Sequence, residues 1–284
     1  MDRDGLVERW AQLQREAPLI HCITSPIAIN DCANAVLAAG ARPICAEYPE
    51  EVAEITKSSN ALSVSLANIT EARAKSIMIS GLAAKAAGIS SVIDLVGIRC
   101  SAFRLALAKK YIAECKPAII KGNASEIRTL AGERGEFHDG IDTAKQDRVS
   151  LDDPESIRGM EKILKKLAVQ YRAVIMATGA VDLISDGENT FAIENGVPEM
   201  GRVTGTGCIL NCLIASFLSV AEPLEAAVLA ASVWGISGEL GDRSRGLGTY
   251  HIELLNQLSL IDGKRIKEYA KIKRIEKGIG YGFS

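Results

Sequence analysis

The run Val203-Thr204-Gly205-Thr206-Gly207-Cys208, followed at once by an apolar stretch to Phe217, concentrates unusual chemistry in a few residues. Gly205 and Gly207 permit backbone angles with positive φ and close approach of a ligand. A helix that begins near Cys208 turns its unpaired N–H groups and the positive end of its dipole towards this turn. With Thr204 and Thr206 adding hydroxyl donors, the arrangement is a phosphate cradle. A plainer explanation stands beside it, in which Thr206 caps the helix and the glycines serve only tight packing. Cys208 is open to four roles: nucleophile, base, metal ligand, or small residue at the start of a buried helix.

The known nucleotide loops do not account for this turn. No G-x-x-x-x-G-K-[ST] occurs, and Gly-Thr-Gly-Cys-Ile-Leu does not satisfy G-x-G-x-x-G. No G-x-S-x-G elbow is present. His21, His138 and His251 are far apart in sequence and lack metal-ligand spacing, so each reads as a satisfied, partly buried histidine.

Positioning such a turn requires a scaffold, and the chain alternates β-like and helical runs. Strands are predicted in 61–69, 90–98, 117–123 and 173–179. Helices are predicted from Glu71 towards Ala87, over 102–115, 125–132 and 154–172, from Cys208, from Pro223 to about Gly241, and from Lys264 onward. Two alternating runs around Asp186-Gly187 mark a hairpin. The polar region from Glu136 to Asp153 reads as a loop. Strands separated by helices imply βαβ units, a parallel sheet and an α/β fold. Without a recognisable linker, residues 1–284 read as one domain. Ligands of such sheets lie beyond the carboxyl ends of the strands. Here those ends carry Asn68, Asp94 with Gly97, Lys121-Gly122-Asn123, and Thr178-Gly179.

Bulk properties narrow the class. Hydrophobic residues make up 48% and charged residues 24% of the 284, a balance suited to a large buried core. A net charge of -2 gives no global field for nucleic acid or an anionic membrane. Seven scattered cysteines without a C-x-x-C pair do not form a disulfide framework or a zinc motif. The charged N-terminus lacks an apolar secretory core, and the apolar region after Cys208 is interrupted too soon to span a bilayer. A reduced, cytoplasmic protein is expected.

Six stretches carry a resemblance: HCITSPIAINDCANAVLAAGARP, AEYPEEV, KGNASEIRTLAG, ATGAVDLISDG, VTGTGC and GTYHIELLNQLS. Together, in order from about Pro18 to Ile261, they resemble the hydroxyethylthiazole kinases, thiamine-salvage enzymes of the ribokinase-like superfamily. The resemblance implies a mostly parallel central sheet with helices on both faces. It implies phosphorylation of the hydroxyl of 4-methyl-5-(2-hydroxyethyl)thiazole by ATP and Mg²⁺, in a homotrimer with the thiazole site between neighbouring subunits. Matching motifs place Cys208 at the family's cysteine, where other ribokinase-like enzymes carry an aspartate base, with Gly205, Thr206 and Gly207 around the transferring phosphate. Thr178 and Lys121 match nucleotide-contacting positions, with Asn123 beside them, and Asp94 and Glu126 match acidic positions near phosphates and magnesium. Asn30 and Cys45, with Gly205, would line the thiazole side. A helix N-terminus lowers a thiol's pKa from about 8.5 towards neutrality, so Cys208 is expected to be a supporting base.

Departures from the family pattern cluster near the same place. Leu95 stands for a proline, and Arg99 with Cys100 for two small residues. Arg99 either adds a cation for ATP or fills space the nucleotide needs. Cys45 replaces a common methionine, Ser25-Pro26 a common Asn-Tyr, and Lys121 an arginine, keeping charge but losing bidentate geometry. Two other readings follow from these changes: a trimeric relative that binds thiazole or nucleotide without turnover, or a kinase for a different small alcohol.

Overall fold

The computed structural model describes residues 2–133, 149 and 153–275. Among these described residues, nine strands form one sheet. In chain order they are β1 (Leu19–Ile23), β2 (Arg42–Ile44), β3 (Ala61–Ser65), β4 (Ser90–Asp94), β5 (Ile119–Asn123), β6 (Val174–Thr178), β7 (Asp182–Ser185), β8 (Thr190–Ile193) and β9 (Ile272–Arg274). Their order across the sheet is β2-β1-β3-β4-β5-β6-β7-β8-β9, parallel through β6 and antiparallel beyond it.

Two apolar layers cover the sheet, as βαβ connections require. One face packs against α4 (Glu71–Ala87), α5 (Ala102–Cys115), α6 (Ala124–Leu130) and α7 (Pro154–Tyr171). The other packs against α1 (Arg3–Glu16), α2 (Ile29–Ala38), α8 (Thr206–Leu218), α9 (Pro223–Leu240), α10 (Leu247–Ser259) and α11 (Gly263–Tyr269). The short α3 (Val52–Lys57) lies beside α4. The expected α/β class, with a mostly parallel sheet and helices on both faces, is what the chain adopts.

Helix α8 is the central element of the second layer. Every residue from Ile209 to Leu218 is buried, because the helix lies over β3 and β4 with α9 and α2 against its outer side. It is apolar all round, as a helix enclosed on all sides must be. Each fully buried side chain of the size of Leu213, Ile214 or Phe217 contributes about 1.5–3 kcal/mol. That burial holds the helix axis, and therefore its N-terminus, in place.

Several predicted elements are found with shifted ends, and others had no prediction. The strand runs end at Ser65, Asp94, Asn123 and Thr178, so that Lys121, Gly122 and Asn123 lie within β5 while Asn68, Gly97 and Gly179 follow their strands. The hairpin turns at Asp186-Gly187, where Gly187 has φ of 101° and the Asp186 carboxylate accepts the Glu188 and Asn189 N–H groups. The helix predicted from Lys264 onward is only seven residues long, after which the chain pairs with β8 as β9. Elements α1, β1, α2, β2, α3 and α10 were not anticipated. The predicted loop of residues 136–153, except Val149 and Asp153, and with it His138, lies outside the described residues. No helix of the described residues is long and apolar enough to cross a membrane.

Candidate active site

The parallel strands end beside the N-terminus of α8. Gly205 precedes that helix with φ of 92°, and no side chain caps it. The first backbone bond of the helix runs from Ile209 N–H to the Gly205 carbonyl at 2.8 Å. By helix geometry, the N–H groups of Thr206, Gly207 and Cys208 therefore have no carbonyl one turn earlier to bond. The capping role considered for Thr206 is overturned. Its hydroxyl instead donates to the carbonyls of Met200 and Val203, at 3.1 and 3.3 Å, so it is not a free donor to the turn either. What Thr206 offers is its backbone N–H.

The glycines of this turn are needed for different reasons. A Cβ on Gly205 would lie 2.8 Å from the Ala28 Cβ, so the segment before α2 presses directly on the turn. A Cβ on Gly207 would meet only the Lys121 Nζ, at 3.9 Å. The opening above Gly207 thus faces an ammonium group.

Lys121 and Asp94 are adjacent in register across β4 and β5, so their side chains leave the same face of the sheet. Their charged atoms are 3.0 Å apart, and both residues are buried, at 3% exposure each. Burial alone would lower the Lys121 pKa. The Asp94 carboxylate, with Cys208 and Glu126 behind it, outweighs that and holds it above its ordinary value. Lys121 is therefore a fixed cation at the root of the turn.

Glu126 is the third residue of α6 and completes a capping box with Asn123. One of its oxygens accepts the Asn123 N–H at 2.7 Å and the other the Gly97 N–H at 2.8 Å. A single buried carboxyl thus joins the end of β5 to the loop after β4. Burial first, then the nearby Asp94, push its pKa up to about 8 against those two hydrogen bonds and Lys121. A Cβ on Gly122 would come within 3.0 Å of the Glu126 Cβ, which is why glycine stands between Lys121 and Asn123.

Cys208 is half-buried and lies close enough to Asp94, Cys32 and Lys121 to feel their charges. The expectation of a lowered thiol pKa is overturned. Burial comes first and Asp94 and Cys32 add to it, pushing the thiol up to about 11, while Lys121 and Thr24 pull only partly the other way. Desolvation of the thiolate outweighs the helix end here, and Cys208 is a neutral thiol at pH 7.

The remaining predicted residues are distributed around this centre. Thr178 is half-buried at the end of β6, and its hydroxyl reaches the Gly122 carbonyl at 3.4 Å. Arg99 is buried in the loop between β4 and α5, and Cys100 beside it is exposed. Leu95 is fully buried, and its N–H donates to the Lys121 carbonyl at 2.8 Å, a bond that a proline could not make. Cys45 is half-buried just past β2, whereas Asn30 is exposed on the first turn of α2. Ser25 is buried and donates to the Asn68 side chain at 2.6 Å. The two described histidines are both partnered, His21 with Thr56 and the Ala46 carbonyl, His251 with Asp31 at 2.8 Å.

Asp182 had no place in the sequence reading. It opens β7, accepts the Gly179 N–H at 2.9 Å and is within reach of the Lys121 charge. Its only signal in sequence was position, four residues after the Thr178 that ends a strand.

The donor set suits a divalent cation shared with phosphates better than one held by protein alone. Among the described residues no three His, Cys, Asp or Glu side chains gather as a metal cage. Two carboxyls, Asp94 and Glu126, stand beside a cation and a helix N-terminus. Mg²⁺ is commonly held that way, through one or two carboxylates with phosphate oxygens and water completing the shell.

Comparisons with known proteins bear on the family and the fold. A family model described as the Hydroxyethylthiazole kinase family matches residues 10–264. Hydroxyethylthiazole kinase 2 of Clostridium botulinum strain Hall is 46% identical over 258 residues, covering 90% of this chain and 96% of that protein. The solved structure of a hydroxyethylthiazole kinase protein from Pyrococcus horikoshii superposes with a TM-score of 0.86 at 30% identity, covering 96% of this chain and all of that one. A ribokinase-like superfamily protein from Enterococcus faecalis, at 14% identity and a TM-score of 0.61 over 95% of each chain, shares the fold. With its ribokinase-like fold and a family match along nearly its whole length, the chain belongs to the hydroxyethylthiazole kinase family.

Proposed function

We propose that this enzyme transfers the γ-phosphoryl group of ATP to the hydroxyl of 4-methyl-5-(2-hydroxyethyl)thiazole, a step of thiamine salvage. The observation that carries the reading is the buried Lys121–Asp94 pair, with the Lys121 ammonium directly beneath Gly207 at the uncapped N-terminus of α8. Phosphoryl transfer asks for in-line positioning and neutralisation of charge on the equatorial oxygens, more than for covalent help. The N–H groups of Thr206, Gly207 and Cys208 are the donors for those oxygens, and Lys121 supplies positive charge behind them.

Asp94 and Glu126 are the residues that would hold Mg²⁺, which supplies charge neutralisation between phosphate oxygens when bound. Thr178, Asn123 and Arg99 lie on the nucleotide side in this reading. Gly205, Cys45 and Asn30 face the alcohol. Cys208, a neutral thiol, orients the acceptor hydroxyl in this reading without taking its proton, which passes late to an oxygen of the transferred phosphoryl group, as a loose transition state allows.

The working assembly in this reading is a homotrimer with shared sites. Ile27 and Ile252 are 69% and 61% exposed, and Tyr48 is 58% exposed. Ile27 and Tyr48 lie on the segments next to Asn30 and Cys45, and Ile252 lies on α10, which packs against α2; these are the side chains this reading assigns to the contact between subunits. Seven cysteines free of disulfides support a reducing, cytoplasmic setting.

The test is ADP release from Mg-ATP by purified protein, with and without the thiazole alcohol. Stimulation by the alcohol is expected. Turnover with some other alcohol instead would reassign the acceptor, to which Cys45 and Ser25 would then be relevant. Nucleotide binding without turnover on any alcohol would make the protein a binder and sink the reading.

A further inference from the structure

Asp182 is placed by the sheet on the same face as the site. Side chains alternate along a strand, and Met176 is paired with both Lys121 and Ile184. Asp182, two residues before Ile184, therefore shares the face of Lys121, the one covered by α8 and α9. It stands at the edge where the parallel strands end, because β7 begins there and runs back.

Its oxygen accepts the N–H of Gly179, the residue that follows Thr178. This bond closes the corner between β6 and β7, and Thr178 in turn touches the carbonyl of Gly122, next to Lys121. Loss of hydration pushes the Asp182 carboxyl up to about 7, while the Gly179 N–H and the charge of Lys121 favour its ionised form. The group is thus coupled to the site's central cation as well as to the corner.

We propose that Asp182 is a positioning residue for the nucleotide, acting by fixing the Thr178–Gly179 corner beside Lys121. The inference rests on the kinase reading given above, in which Thr178 faces ATP. A residue that only stabilised the fold would affect both substrates alike. One that positions the nucleotide corner acts on ATP alone.

The experiment compares wild type, Asp182→Ala and Asp182→Asn for KM of ATP, KM of the alcohol, kcat and thermal stability. Asp182→Ala is expected to raise KM for ATP about tenfold, with kcat and the KM for the alcohol within about threefold of wild type. Asp182→Asn keeps an acceptor oxygen for Gly179 and is expected to restore KM for ATP to within about threefold. If Asp182→Ala proves unable to fold, Asp182→Glu replaces it, because its longer arm misplaces the oxygen while keeping the charge; a raised KM for ATP is expected. A folded Asp182→Ala or Asp182→Glu enzyme with unchanged KM for ATP overturns the proposal. So does a rise in both KM values that follows the loss of thermal stability. ADP affinity, measured directly by calorimetry, separates this from the kinase reading. Wild type that binds ADP but phosphorylates no alcohol sinks only the kinase reading, and weaker ADP binding by Asp182→Ala would still support the role of Asp182.

Discussion

At the residue scale, the chemistry turns on which groups carry charge. A neutral Cys208 cannot take up a proton, so Cys208→Ser, which keeps a neutral hydroxyl at that position, is expected to lower kcat by less than about a hundredfold, the low end of general-base contributions. Asp94→Ala and Glu126→Ala remove the two carboxyls that would hold Mg²⁺ in the proposed reading and should each cost more, on the order of a thousandfold. Single-turnover rates on folded variants give the ordering, and a Cys208→Ser enzyme worse than both carboxylate variants would reverse it. Asp182 makes a separate, thermodynamic prediction. Its folded pKa of about 7 lies above its ordinary value of 3.8, so the folded state holds that proton more tightly. Its contribution to stability is therefore best at pH below the ordinary value and declines as pH rises through the folded value. The stability of Asp182→Asn relative to wild type should then increase between pH 5 and pH 7.5, measured as a difference in denaturation midpoints. A constant difference would contradict the shift.

At the scale of elements, the site is the end of a buried helix meeting the ends of parallel strands. The two glycines of the turn separate stability from activity. Gly205→Ala combines a φ of 92° with a Cβ 2.8 Å from that of Ala28, and should destabilise the protein by about 1–3 kcal/mol. Gly207→Ala has room for its methyl group and lies in the first turn of a helix, where alanine is favoured over glycine by up to about 1 kcal/mol. It should therefore keep or raise thermal stability while activity falls, because the methyl group fills the space between the helix N-terminus and Lys121. Thermal unfolding and ADP release on the same two variants check both halves. Leu95 adds rigidity from the opposite side of β4, since its N–H extends the pairing with β5 by one bond at the level of Asp94 and Lys121.

At the scale of the whole molecule, the two apolar layers leave a set of large side chains unburied. Ile27 precedes α2, Tyr48 follows β2 and Ile252 lies on α10, which the Asp31–His251 pair joins to α2. Light scattering of the purified protein is expected to give three times the mass of one chain. Ile252→Glu should shift that mass towards the single chain and lower activity in parallel, because a charge cannot be buried in an apolar contact without a partner. A trimer unaffected by that change would place the interface elsewhere.

The sequence by itself determined the class of fold and pointed to the candidate site along the chain. The alternation of apolar strands with helices dictates βαβ units, and glycines or polar residues at strand ends are legible because a strand must stop where its apolar run stops. Helices α4 and α5 were readable to the residue, since threonine and serine caps and terminal signals bound them. Short elements with little periodicity, such as β1, β2 and α3, were not legible, because three to six residues carry no pattern of their own. Tertiary structure alone decided the electrostatics. The position of Cys208 at a helix N-terminus suggested a lowered pKa, yet burial and the carboxylate of Asp94, distant in sequence, raise it. The free hydroxyl expected of Thr206 is taken by carbonyls of the preceding turn, and Asp182 joins the site only because β7 folds back beside β6. Charge and solvation depend on which residues meet in space, and a local pattern of residues does not contain that information.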